Sequence, residues 1–312
     1  MKKAVIAMAA AAAGLASTAA HADTFARAAN EITNLVVTSS HGATAGLSVN
    51  SSFASACLPN GNCTSKGGAG VTDSAPAKLG WAGYVNNSYD SNAASGTSYA
   101  VADASIDQLQ LSGAPYTRAR SFTEGNLVGA GTLNAVAGNS SATLLTTTVV
   151  AGAGDKLSFH FDALPYIQVY LTDKAIAPSQ AQGSIGLNFN LIDNSGKIVF
   201  NWAPDGIAGD IQGGTETADP YTLNTSLTAL NGNGGPLTFA PTSCTVGGAG
   251  CFSASTNALA AGVYTLNLAM HENIAVQSAV PEADTYAMLL AGLGIMGVVA
   301  RRRGRCSPAV SP

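Results

Sequence analysis

The chain has 312 residues, 46% of them hydrophobic but only 10% charged and 6% aromatic, with 35 glycines and a formal net charge of −4. Lys and Arg are sparse and unclustered outside the two ends, which excludes the basic face that nucleic-acid binding requires. The length suffices for a buried core in one large domain or two smaller ones.

Residues 1–22 read as a cleavable signal peptide: Lys2 and Lys3 precede an alanine-rich apolar run over 4–15, and Ala20-His21-Ala22 supplies a small-x-small cleavage step. The rival reading, an N-terminal membrane anchor, needs a longer and more strongly apolar run. Cleavage leaves Asp23 first, and between 23 and 280 there are 8 Lys and Arg against 16 Asp and Glu. The exported part is thus acidic, near −8, which favours solubility and leaves carboxylates available to cations.

From 24 to about 150 the pattern predicts strands poor in large apolar residues. Residues 31–39, EITNLVVTS, form a first strand in which Ile32, Leu35 and Val37 nearly alternate. Between 40 and 98 the chain is rich in Gly, Ser, Ala and Asn, a composition that orders poorly unless pinned. Pinning is at hand in Cys57 and Cys63, which close CLPNGNC, as Cys244 and Cys251 close CTVGGAGC further on. Two local disulfides suit an exported chain; four thiolates on zinc are the alternative, although both spacings exceed the usual zinc-pair spacing. Residues 79–85 and 99–111 are further strand candidates, and 142–150, ATLLTTTVV, is the clearest because β-branched residues favour pleated surfaces.

Beyond Asp155 the alternation sharpens. Leu157, Phe159 and Phe161 share one face, as do Ile167, Val169 and Leu171; Pro165 either turns the chain between two strands or interrupts one bent strand. Ile185, Leu187, Phe189 and Leu191 repeat the pattern, and Asp193-Asn194-Ser195-Gly196 supplies a turn into Ile198, Phe200 and Trp202, which predicts a hairpin. Strands follow over 221–230, 237–240 and 262–270, and a linker begins at Gln277 and Ser278. No sustained helical period intervenes. Short alternating strands with glycine-rich turns predict an antiparallel β-sandwich or jelly roll.

The same stretch offers few reactive residues. Between 23 and 280 the histidines are His41, His160 and His271, and there is no GxSxG, HExxH or P-loop pattern; GLGIMG over 292–297 matches a dinucleotide fingerprint in letters alone. His160 and Asp162 share the outward face of a strand, either as an orienting pair or as plain solvated positions. Residues 204–220, PDGIAGDIQGGTETADP, carry Asp205, Asp210, Glu216 and Asp219 among glycines. Calcium takes about six to eight oxygens from such sources, although the spacing is not that of an EF-hand. A solvated acidic loop is the plain alternative, and a carboxylate pair for glycoside hydrolysis a third. Trp81, Tyr166 and Tyr170 are candidates for contact with a sugar, whereas Trp202 lies in a strongly alternating run and is expected in the core.

The region from 280 to 306 sets three unlike pieces in order: Val280-Pro281-Glu282, an apolar run over 286–300, and Arg301, Arg302, Arg303 and Arg305. A 15-residue helix spans only about 22 Å against a hydrocarbon core of roughly 30 Å, a marginal fit that snorkelling arginines extend. Basic residues hold their end in the cytoplasm. These residues resemble the PEP-CTERM sorting signal of Gram-negative bacteria, with Ala283 standing where that family has a second proline and SPAVSP continuing past the arginines. The resemblance implies recognition and cleavage by an exosortase in the inner membrane, with delivery to the outer surface or the extracellular matrix, and an association with exopolysaccharide.

The expected organisation is therefore a signal peptide at 1–22 and an all-β ectodomain at 23–276, undivided or split into a loop-rich part over 23–150 and a core part over 151–276. A linker with the Pro-Glu step follows at 277–285, one short transmembrane helix at 286–300 and a basic cytoplasmic tail at 301–312. The expected function is that of a secreted, non-enzymatic surface or matrix protein, structural or polysaccharide-associated, needing no cofactor unless the acidic loop takes calcium. The competing classes are a hydrolase acting on extracellular polysaccharide and a binding protein that keeps its anchor.

Overall fold

The structure, a computed structural model, describes residues 24–46, 48–58, 61–69, 77–79, 98–106, 117–128, 135–172, 176–230, 236–241, 251–279 and 291–296. The expected signal peptide, the basic tail, Trp81 and Cys244 lie outside these residues, as does most of the expected transmembrane segment. Residues 291–296 are helical, and among the described residues no helix is long and apolar enough to cross a membrane.

The described strands run in chain order as β1 (Thr24–Ser39), β2 (Thr44–Ala45), β3 (Val49–Cys57), β4 (Cys63–Ala69), β5 (Ala77–Leu79) and β6 (Tyr99–Ile106). Next come β7 (Thr117–Leu127), β8 (Ala135–Ala151), β9 (Leu157–Ala163), β10 (Tyr166–Leu171), β11 (Ile176–Asp193) and β12 (Ile198–Trp202). The last are β13 (Asp210–Ile211), β14 (Gly214–Ala218), β15 (Thr225–Leu230), β16 (Leu237–Phe239), β17 (Phe252–Thr256) and β18 (Gly262–Ala279). They make two antiparallel sheets. The first runs β13-β14-β17-β9-β1-β7-β6-β5, with β10 and β16 attached through β1; the second runs β12-β11-β18-β8-β3-β4, with β15 on β11 and β2 on β8. The sheets pack face to face, β1 opposite β11 and β18, β6 opposite β3 and β8, and β7 opposite β8 and β18.

Two irregularities explain where the sequence pattern was imperfect. Asn34 has φ 57°, in the left-handed region that Asn tolerates, and the register of β1 shifts by one residue there against both β7 and β9. This bulge returns Leu35 to the face already occupied by Ile32, so the near-alternation of Ile32, Leu35 and Val37 becomes a fully buried row. The Asn34 side chain then donates to Asp162 at 2.8 Å, fixing the bulge to β9. Pro165 marks the second irregularity. β9 and β10 pair with β1 in one continuous register, Ala163 opposite Ile32 and Tyr166 opposite Ala29, with Leu164 bonded to Glu31 in both directions. The pair is one strand broken where proline lacks an N–H to give.

The interior has unlike regions. At one end Phe161 lies against its ladder partner Phe252 with centroids 4.9 Å apart, and Phe189 against its partner Trp202 at 5.2 Å. The two pairs belong to opposite sheets and meet at Phe161 and Phe189, 5.4 Å apart. All four are essentially inaccessible, and burial of each large side chain contributes about 1.5–3 kcal/mol. Toward the other end of β1 and β18 a second cluster holds Ala26, Ala28, Ile167, Val169, Ile185, Ile274 and Val276. Gly183 lies there, and a Cβ on it would come within 2.8 Å of Ile167 and 3.2 Å of the Arg27 carbonyl; glycine lets the two sheets approach. A third cluster is built from alanines: Ala54 and Ala56 of β3 against Ala77, Ala100 and Ala102.

Where the first two clusters meet, the core is polar. Glu272 sits between Met270 and Ile274 on β18, and Asn30 between Ala28 and Ile32 on β1; both are buried with Ser121, Ser141 and Thr143. The Ser141 hydroxyl donates to Glu272 at 3.3 Å, and burial holds the Glu272 carboxyl well above the usual range.

Several expectations need correction. The small-residue stretch over 40–98 contributes β2, β3, β4 and β5 among its described residues, because alanine alternation packs where large side chains were sought. β7 and β17 were not anticipated at all: β7 alternates inward Ala119, Ser121 and Thr123, residues that carry no apolar signal. β18 continues to Ala279, with Gln277 opposite Val136 and Ser278 opposite Ala135, so these two are ladder residues and not a linker. The 193–196 turn forms as expected, with the Gly196 amide donating to the Asp193 carbonyl at 3.0 Å.

Candidate functional site

The acidic stretch 204–220 is folded onto the edge of the first sheet and is not a free loop. Its residues 210–211 and 214–218 form the hairpin β13–β14, and β14 pairs with β17. Alternation along β14 turns Glu216 inward, and its carboxylate accepts the indole N–H of Trp202. Asp219, just beyond β14, is also buried; its Oδ2 accepts the amides of Asp205 and Gly206, each at 2.7 Å. Gly206 has φ +89°, and a Cβ there would meet the Thr222 nitrogen at 2.9 Å, so glycine is required for the turn that aims these amides. Asp205 is exposed, and its Oδ1 accepts the Ile207 amide at 2.9 Å.

Three of the four acidic residues singled out from sequence thus converge. One carboxylate oxygen from each of Asp205, Glu216 and Asp219 lies within 4.8 Å of the others. Asp210 opens β13, its backbone paired with Thr215, and its side chain lies outside the described ones. Burial first, then the neighbouring Asp219 and Asp205 charges, push the Glu216 carboxyl up to about 7 against the opposing Trp202 hydrogen bond. Burial likewise raises Asp219, partly offset by the Gly206 and Asp205 amides. Trp202 is buried as its strand pattern predicted, but its role as donor to Glu216 was legible only in the fold.

A second feature lies on the outward face of the first sheet. The register of β10, β1, β7 and β6 aligns Gln168, Arg27, Glu124 and Val101 in one row, flanked by Tyr170 and Phe25 on one side and Tyr166, Ala29 and Phe122 on the other. Phe25 and Tyr170 stack at 5.3 Å, and the Arg27 guanidinium lies 4.9 Å from the Tyr166 centroid and 5.2 Å from that of Phe122. Phe25, Val101, Phe122 and Glu124 are the buried members of this patch, and the Tyr99 hydroxyl donates to Glu124 at 2.6 Å. Tyr166 and Tyr170, the outward candidates, are half-buried neighbours here. Phe25, Arg27 and Phe122 were missed because β7 was missed and because the sequence does not show which strands adjoin.

The remaining candidates resolve separately. Asp162 serves as acceptor for Asn34 and for the Cys251 amide at 3.0 Å, a structural pairing. Cys57 and Cys63 are directly opposed in the β3–β4 hairpin and form a disulfide. Cys251 is also disulfide-bonded.

Val280, Pro281, Glu282, Arg301, Arg302 and Arg303 lie outside the described residues, which reach Ala279 in the central strand β18. Comparison with known families matches residues 279–303 to the PEP-CTERM protein-sorting motif. No curated protein and no solved structure matches the chain. The chain thus joins an antiparallel all-β body to a PEP-CTERM protein-sorting motif that starts at the last described residue of the central strand β18.

Proposed function

We propose that this protein is exosortase-sorted cargo: a secreted surface or matrix protein whose β-sandwich is the displayed part and whose C-terminal segment is a removable address. The observation that carries the reading is the match of residues 279–303 to the sorting motif, which begins at the last described residue of β18. Cleavage beyond that point removes no residue from either described ladder. On this reading the 286–300 segment is a short transmembrane helix, the 301–312 tail is cytoplasmic, and the anchor holds the chain in the inner membrane only until processing.

The displayed part is structural or polysaccharide-associated and not an enzyme. Support for a polysaccharide contact comes from the half-buried Tyr166 and Tyr170 on the first sheet, each braced on one ring face, by Arg27 and by Phe25, with polar tips for a sugar to meet. A hydrolytic role for the acidic cluster is disfavoured because Glu216 and Asp219 are 5% and 6% exposed and already engaged by fixed donors. One fractionation experiment in cells that make exopolysaccharide tests both parts. With Arg301, Arg302 and Arg303 changed to Gln, sorting to the surface is lost while the sandwich still folds; with Tyr170→Ala, the protein reaches the surface but is shed from the polysaccharide layer. Normal surface delivery of the first variant contradicts the address, and undiminished retention of the second contradicts the contact.

A further inference from the structure

We propose that Asp205, Glu216 and Asp219 form a calcium site at the edge of the first sheet, independent of the sorting tail. Three observations carry it. One oxygen of each carboxylate is held by a donor of the fold: Ile207 N–H for Asp205, the Trp202 indole for Glu216, and two backbone amides for Asp219. Within this frame an oxygen from each converges within 4.8 Å, and among the described residues no Lys, Arg or His forms an ion pair with any of the three. Independently, Asp219 is only 6% exposed and its Oδ1 has no hydrogen-bond donor. A buried carboxyl group with an unpartnered oxygen, set among two other carboxylates, needs a positive partner, either a cation or a proton shared with Glu216.

Size and ligand type favour calcium among cations. The three oxygens lie within 4.8 Å of one another, inside the roughly 4.6–5.2 Å reach across a calcium ion bound at about 2.3–2.6 Å, and calcium accepts an irregular oxygen shell where magnesium demands a near-ideal octahedron at about 2.0–2.1 Å. All three ligands are hard carboxylates, with no imidazole or thiolate in the group, which disfavours zinc and copper. Asp205 is exposed, leaving an open side from which water completes the six to eight ligands that calcium takes.

The test uses the full chain purified in mild detergent and stripped with chelator. Terbium, a calcium mimic excited through nearby tryptophan, is added and then displaced with calcium or magnesium, and melting temperature is followed with calcium alone. Expected are sensitised terbium emission, displacement by calcium at concentrations at least tenfold below those of magnesium, and a rise of several degrees in melting temperature. Asp219→Asn abolishes these responses. Should that variant fail to fold, the exposed Asp205→Asn weakens terbium affinity about tenfold or more with the fold intact. Emission unaffected by either substitution, or a folded wild type with no calcium-dependent shift, overturns the site and leaves a proton-sharing pair.

Discussion

The interior holds two kinds of packing within one pair of sheets. Around Phe161, Phe189, Trp202 and Phe252 the sheets are joined by interlocked rings; around Ala54, Ala56, Ala100 and Ala102 they are joined by methyl groups. Ring packing derives its stability from area and tolerates small shifts of the strands. Alanine packing buries little area per residue, so it depends on close approach and on neighbours that fit without gaps. The polar row of Asn30, Ser121, Ser141, Thr143 and Glu272 adds a third regime, in which burial of polar groups opposes folding and the Ser141–Glu272 bond offsets part of it.

This contrast is open to direct challenge. Phe161→Ala removes a ring that touches Phe189, Trp202 and Phe252, and a loss of about 3–5 kcal/mol in denaturant unfolding is expected. A loss below about 1 kcal/mol would mean that the rings do not dominate that end. Glu272→Gln probes the polar row through pH. The folded carboxyl is held protonated well above the usual range, so the folded state retains a proton that the unfolded chain releases. Stability from this group is therefore complete below the unfolded value of about 4.3 and falls by up to about 1.4 kcal/mol per pH unit as pH rises toward the raised folded value. The Gln variant lacks that slope. Melting curves of the two proteins should converge toward pH 4 and separate as pH rises, with the variant the more stable; parallel curves would show that Glu272 does not titrate this way. Ala102→Leu is expected to have the smallest effect, at the low end of about 1–3 kcal/mol, by forcing apart strands that meet through methyl groups. Unchanged stability would show slack at the alanine end.

The same contrast explains how much was readable from sequence. Large apolar residues at alternate positions announced β9, β11 and β12 directly, and the hairpin turn at Asp193–Gly196 followed from its residues. Alanine and serine alternation announces nothing, since these residues are equally at home in loops, and so β3, β4, β7 and β17 needed the register to become visible. The acidic cluster was half legible. Composition marked 204–220, but the convergence of Asp205, Glu216 and Asp219 and the meeting of Trp202 with Glu216 appear only once the β13–β14 hairpin is folded and Asn201 is bridged to Gln212. The outward row of Phe25, Arg27, Tyr166 and Tyr170 depends on which strands adjoin, and that order lies in long-range pairing. The sorting motif, by contrast, is a local string of residues and was legible without the fold.

In the proposed function a displayed sandwich is separate from a removable tail. Intact-mass measurement of the protein recovered from the surface of producing cells addresses it most directly. The predicted product begins at Asp23, lacks everything after roughly Val280 and retains β18 whole. A surface product that still carries Pro281 through the arginines at 301–303 would contradict removal of the address and make the protein a permanently anchored one.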